Sequence, residues 1–157
     1  MDGNIAGKYY RLALYKAKQR DLSGAVFYAR RAMLLDRENG NARRLLNICL
    51  HELGEPCGLE YAAMFPEEAE YEKETGEKIR MARDLAEAGK LRKAEAVLRS
   101  IKHQNVRILS IRGCMKAAGG KYMSAAGLYA RVLKKDTGNR AAQEYLAEVA
   151  GRGNTLF

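Results

Sequence analysis

The sequence predicts an all-α chain of paired helices, and three observations carry that prediction. Apolar residues recur at spacings of three and four, while period-two alternation is rare and valine and isoleucine are sparse, so strands have no support. Glycine-containing turns separate helical stretches of about a dozen residues. The helix–turn–helix units then repeat in register with a period near 34 residues, the mark of a helical solenoid. Of 157 residues, 47% are hydrophobic and 30% charged, which excludes both a disordered tail and a membrane-embedded class.

The first helix spans about Ile5–Lys18, with Ile5, Tyr9, Leu12 and Tyr15 forming one apolar stripe. Asp21 or Ser23 caps the second, in which Ala25, Tyr28, Ala29, Ala32, Met33 and Leu35 favour one face. Gly40-Asn41 closes that unit and offers Asn41 as the cap of a third helix, which carries Leu45, Leu46, Cys49, Leu50 and Leu53. Gly54-Glu55-Pro56 is a break. A helix over about Cys57–Phe65 stops near Pro66, because proline lacks an amide hydrogen and restricts the residue before it. Helices over Glu77–Ala88 and Leu91–Ile101 follow, divided by Gly89. Asn105 caps a helix to Ala118, Gly119-Gly120 ends it, and Lys121–Lys135 comes next. Asn139 caps a last helix to about Ala150, and residues 151–157 read as a frayed tail. The units are thus 5–38, 41–70, 76–103, 105–137 and a capping helix over 139–150, within one domain over residues 1–150.

Aligning the turns superposes Leu12-Ala13, Leu46-Asn47, Met81-Ala82, Arg112-Gly113 and Leu146-Ala147, at steps of 31 to 35 residues. Past the turns a small residue recurs as Ala25, Ala94 and Ala125, with Leu59 the exception. The next registered sites are Ala29, Ala63, Leu98 and Tyr129, then Ala32, Pro66, Ile101 and Val132. The stretches RDLSGAVFYARRAMLLD, AGKLRKAEAVLRSI and GGKYMSAAGLYARVLKKD carry the pattern best, and Asp36 and Asp136 close two of the units. In these stretches the chain resembles the tetratricopeptide repeat family, over about residues 5–150. It departs from the family where Arg37 and Thr137 replace the usual proline after the Asp, and where Tyr9 replaces the first-helix tryptophan. The second unit, with Pro56 in its turn and Pro66 in its second helix, matches least. The resemblance implies a right-handed α-α superhelix of about four helix–turn–helix repeats plus a C-terminal capping helix. One pair cannot bury its apolar faces alone, so each stacks on the next and stability becomes a sum over neighbours. The last helix, with Leu146 and Val149 inward and Arg140, Glu144 and Glu148 outward, covers the fourth pair.

Twenty-eight basic against 19 acidic residues leave a net charge of +9, divided as +4 over residues 1–40, −5 over 41–76 and +10 over 77–157. A basic total points to nucleic acid or an anionic surface. An acidic block (Glu67, Glu68, Glu70, Glu72, Glu74) between basic segments points instead to a counter-charge or a solvated face. No apolar run approaches the roughly 20 residues of a membrane span, and MDGNIAGKYYRL lacks the basic and apolar regions of a secretory signal. Three cysteines at irregular spacing (Cys49, Cys57, Cys114) suit a reducing, cytoplasmic setting.

Catalysis has little material. Cys49 and His51 share a helix and point about 200° apart, so they do not converge on one metal. Cys114 lies beside Arg112 and Lys116 but has no histidine partner. The glutamates of 67–74 lack calcium-loop spacing, and Gly119-Gly120-Lys121 lacks that of a phosphate loop. Neither enzyme activity nor a metal nor a cofactor is expected.

What remains is a binding surface. The resemblance implies a concave groove lined by the first helices of successive pairs, which holds a peptide. By register its residues are Tyr10 and Leu14, then Arg44, Ile48 and His51, then Ile79 and Arg83, then Arg107, Ser110 and Cys114. Apolar sockets beside arginines predict a protein or peptide partner with hydrophobic and acidic groups. The family's clamp for chaperone tails needs lysine and asparagine where Tyr10 and Leu14 stand, so that activity is not expected. The competing expectation is an RNA-binding helical repeat that uses the basic C-terminal half, with Arg83, Arg107 and Arg112 near one face.

Overall fold

The computed structural model describes residues 2–55 and 66–156, and over them the chain forms eight α-helices and no strand. They are α1 (Asp2–Lys18), α2 (Leu22–Leu35), α3 (Gly40–Leu53), α4 (Pro66–Glu87), α5 (Leu91–Arg99), α6 (Val106–Ala118), α7 (Tyr122–Lys135) and α8 (Arg140–Leu156). Packing follows the chain in pairs: α1 on α2, α4 on α5 and α6 on α7, with α3 against α2 and α8 against α7. The expected helix over Cys57–Phe65 lies outside the described residues. No described helix is long and apolar enough to cross a membrane.

Short polar side chains set the helix starts by accepting a bond from an otherwise unpaired first-turn amide. Asp21 takes the Gly24 amide at 2.9 Å, Asn105 that of Ile108 at 2.9 Å, and Asn139 that of Ala142 at 3.0 Å. Asn39, not the expected Asn41, caps α3 by accepting from the Ala42 amide at 3.0 Å. Asn41 is already inside the helix, which begins at Gly40.

Two helices overrun their expected limits by more than a turn. The sequence puts a unit boundary between residues 70 and 76, yet one 22-residue helix, α4, crosses it. Pro66 begins this helix, where a missing amide hydrogen costs nothing, and Glu67 and Glu68 follow where the positive end of the helix dipole favours acids. At the other end, α8 runs past Ala150 through residues expected to fray. Gly151 has no proline after it, and a lone glycine penalises a helix by only about 1 kcal/mol.

Among the described residues, three clusters make the core. Ala13, Ala25, Val26 and Ala29 of the first pair meet Leu46, Cys49 and Leu50 of α3. Ile79, Ala82, Ala94, Leu98 and Ile108 join α4, α5 and α6. Val106, Leu109, Tyr129, Val132 and Ala142 close α6, α7 and α8. The registered small residues Ala13, Ala82, Ala25, Ala94 and Ala125 are fully covered. At Gly113 an added Cβ would come within 2.8 Å of the Tyr129 ring. The expected α1 stripe is turned outward. Ala6 and Ala13 face the core, while Ile5, Leu12 and Tyr15 are 47%, 42% and 57% exposed. Close contact between α1 and α2 takes alanines, which sends the bulky side chains to the other side.

The pairs do not touch neighbours alone. The link after α7 lies on the turn after α1: Ser23 N and Oγ donate to the Asp136 carboxylate at 3.2 and 2.7 Å, and the Thr137 amide donates to the Arg20 carbonyl at 2.9 Å. Ser23, free of capping, serves this contact, and Asp136 is fully buried. The end of α3 joins the same junction. Leu53 packs on the α6–α8 cluster, and Glu52 approaches His103 at 3.3 Å and Lys135 at 3.6 Å. The His51 ring stacks on His103 with centroids 5.1 Å apart and planes 9° from parallel. Burial holds His103 below the ordinary histidine range. Glu52 opposes that shift, while His51 and Lys135 add to it.

Candidate functional site

A groove of about 580 Å³ runs between α4 and α6. From α4, Ile79, Arg83 and Ala86 stand four and three residues apart on one face; from α6, Arg107, Ile111 and Cys114 do the same. Leu91, at the start of α5, closes one end, and Met115 and Ala118 extend the apolar wall. The floor is the outer layer of the α4–α6 core, with Ile79 only 6% exposed. Arg83 and Arg107 are exposed on the two helices, and Glu87 is the acidic lining residue. An apolar floor under two cations is chemically complementary to a group that combines apolar surface with negative charge.

The opposite side of α6 fixes its orientation. Lys116 Nζ lies 2.6 Å and Arg112 Nη2 3.9 Å from the Glu95 carboxylate on α5. Arg112 also donates to Gln104 Oε1 at 2.8 Å, and Gln104 in turn donates to the carbonyls of Leu98 and Ile101 at 3.0 and 2.7 Å. Burial pulls Arg112 below the usual arginine range; Arg131 adds to the shift and Glu95 opposes it. Arg112 is therefore a buried strut, contrary to its expected place beside Arg83 and Arg107. Cys114 Sγ lies 3.0 Å from Tyr129 Oη across α6 and α7. Burial, and then this bond, push the Tyr129 hydroxyl above its ordinary range.

Five of the ten residues assigned to a groove by register line this one: Ile79, Arg83, Arg107, Ser110 and Cys114. Ile79 lines the groove from below, its side chain shared with the α4–α6 core. The other five lie elsewhere. Tyr10 and Leu14 are half-buried on α1, Arg44 and Ile48 are exposed on α3, and His51 is held against His103 at the junction. Register alone missed Ala86, Leu91, Ile111 and Met115. Stepping three or four residues along each helix from Arg83 and Arg107 would have found three of them.

A second concavity, of about 590 Å³, lies on another flank of α4 and includes Glu77, Arg80, Asp84 and Lys90. Its alternating charges favour no one sign of ligand. Cys49 is buried in the first cluster, where burial, then Asp136 and Glu52, push its thiol up to about 11. It stays protonated at neutral pH and is a poor nucleophile. Among the described residues, no three histidine, cysteine or acidic side chains are grouped to hold a metal ion. No protein-family model matches the chain, and no curated protein matches it either.

Proposed function

We propose that the protein is a non-enzymatic binding module that holds an acidic, partly apolar protein segment in the α4–α6 groove. The observation that carries this reading is the pairing of Arg83 and Arg107, from two helices, over one apolar floor. Arginine grips carboxylates bidentately and is enriched where binding energy concentrates. A volume of about 580 Å³ matches the size of small binding clefts. The finer architecture we infer is a tetratricopeptide-like array, a right-handed superhelix of four pairs with α8 as its cap. It is supported by the buried register of Ala13, Ala82 and Gly113 in first helices and of Ala25, Ala94 and Ala125 in second helices. The RNA reading keeps Arg83 and Arg107 but loses Arg112, which faces Glu95 and Gln104.

Fluorescence anisotropy tests the reading with a labelled peptide rich in leucine and glutamate, beside its glutamine analogue and a uridine homopolymer. The glutamate peptide is expected to bind best, and the paired substitution Arg83→Glu with Arg107→Glu to weaken it by roughly tenfold or more without lowering the melting temperature. Tight homopolymer binding that falls steeply with added salt would replace the peptide reading by the RNA one.

A further inference from the structure

The first helix pair has two sides, and α3 covers only one of them. That covered side is small and aliphatic: Ala13, Ala25, Val26 and Ala29 against α3. Beyond that contact the exposed surface is aromatic, with the half-buried Tyr28 at its root packed against the edge of the same cluster. Tyr9 of α1 stacks on Tyr28 of α2 with centroids 6.2 Å apart, and Phe27 meets Tyr28 edge-on at 5.2 Å. The Arg31 guanidinium lies over the Phe27 ring at 4.6 Å and the Tyr9 ring at 5.9 Å. Ile5 and Leu12, four residues before and three after Tyr9, extend this surface along α1. Leu34, seven residues after Phe27, extends it along α2. Phe27 is 51% and Leu34 78% exposed. Exposed apolar side chains gathered on one surface of a folded domain are what contacts with other macromolecules use.

The far end of the chain shows what such a surface receives. There the α7 residues Tyr129 and Val132 are covered by α8, with Ala142 buried, Tyr145 4.5 Å from Tyr129 between ring centroids, and Leu146 packed alongside. One amphipathic helix completes that end. The α1–α2 surface has the same need and a defined sign of charge. Lys8 and Arg11 flank Leu12 around a small concavity of about 360 Å³. Lys16 and Arg30 are already paired, with Asp21 at 3.7 Å and Glu55 at 3.5 Å. Lys8, Arg11 and Arg31 have no carboxylate partner among the described residues. α2 contains no acidic residue at all.

We propose that this surface docks an acidic amphipathic helix of a protein partner, laid across the exposed aromatic surface of α1 and α2. A second copy of the chain fits less well. Stacking the surface on itself would bring the Lys8, Arg11 and Arg31 of both copies together. The acidic start of α4 offers only Ala69 and Tyr71 as apolar residues between Pro66 and Glu74. The site is separate from the α4–α6 groove and does not depend on it.

The test is anisotropy with a labelled peptide of about 18 residues, long enough to hold a helix on binding. Leucines recur at helical spacing and glutamates flank them; the control has lysine for each glutamate. The full chain is titrated alongside Phe27→Glu, Leu12→Glu and Arg31→Gln, all at exposed positions, with circular dichroism to check folding. The glutamate peptide should bind saturably, and lose roughly tenfold or more in Phe27→Glu and in Leu12→Glu and roughly threefold in Arg31→Gln. Binding should be unchanged by Arg83→Glu with Arg107→Glu, which separates this site from the groove. Equal binding of the lysine control, or undiminished binding by both folded apolar variants, would overturn the proposal. So would a dimer in sedimentation equilibrium that Phe27→Glu dissolves, or Phe27-dependent co-sedimentation with phosphatidylserine vesicles in the absence of peptide binding.

Discussion

The link between α2 and α3 and the link between α7 and α8 have nearly the same backbone. Their closing aspartates, Asp36 and Asp136, sit at φ −142°, ψ 94° and φ −139°, ψ 91°. Each donates its amide back into its helix, to Ala32 at 3.0 Å and to Val132 at 2.8 Å. Three residues on, Asn39 and Asn139 each cap the following helix at 3.0 Å. Even the outer brace is shared: Arg43 donates to the Arg37 carbonyl at 2.9 Å and Gln143 to the Thr137 carbonyl at 2.7 Å. The surroundings differ. Asp36 turns its carboxylate to the Glu38 amide at 3.2 Å, whereas Asp136 is buried and holds Ser23 across the molecule. Glu38 is exposed, but at the matching Gly138 an added Cβ would run into the Asp21 carboxylate. Local sequence sets the form of such a link, and what docks on it sets its energetic weight.

The widest separation between the links should come from removing the carboxylates. Asp136→Ala deletes an acceptor of two bonds and is expected to destabilise by about 2–3 kcal/mol in urea unfolding, against about 0.5 kcal/mol for Asp36→Ala. Equal losses would mean that docking contributes nothing. Next comes the exchange of the third residue: Gly138→Glu should cost about 1–2 kcal/mol by forcing Asp21 aside, and Glu38→Gly less than about 1 kcal/mol. The smallest effect is a pH dependence at the same junction. His103 is held below its ordinary value of 6.5, so below that pH the unfolded chain takes up a proton that the folded one resists. Stability should therefore fall as pH drops from about 7 toward 5. His103→Gln should flatten that slope, and an unchanged slope would remove the histidine stack from the account.

What was readable in the sequence was local. The caps Asn105 and Asn139 and the small residues Ala25, Ala94 and Ala125 depend only on their own turn or helix contact, and they sit where the pattern puts them. Pro66 reads in the sequence as a helix stop, yet it begins a helix, because its missing amide hydrogen is as well tolerated in a first turn as it is disruptive further on. The α1 stripe misled because hydrophobicity marks a face without saying whether the bulky or the small residues meet the neighbour. At the groove, register assigned faces to single helices. Arg83, Arg107, Ser110 and Cys114 come together, whereas Arg44 and His51 do not join them. That division follows from how α3 docks on α6, a long-range event with no trace in a 34-residue period.

The Ser23–Asp136 contact joins residues 113 positions apart. Closing a loop of that length opposes folding by on the order of 4 kcal/mol of chain entropy, which the packing of the intervening helices has to offset. An array held by neighbours alone can melt one unit at a time from an end. Here, opening the last link also releases the first turn, which favours a single unfolding transition over a staircase. The same logic reaches hydrogen exchange. The Ser23 amide belongs to an exposed residue near the start of the chain, yet its carboxylate acceptor lies near the other end. Its exchange with solvent will therefore report on the folding of residues more than a hundred positions away.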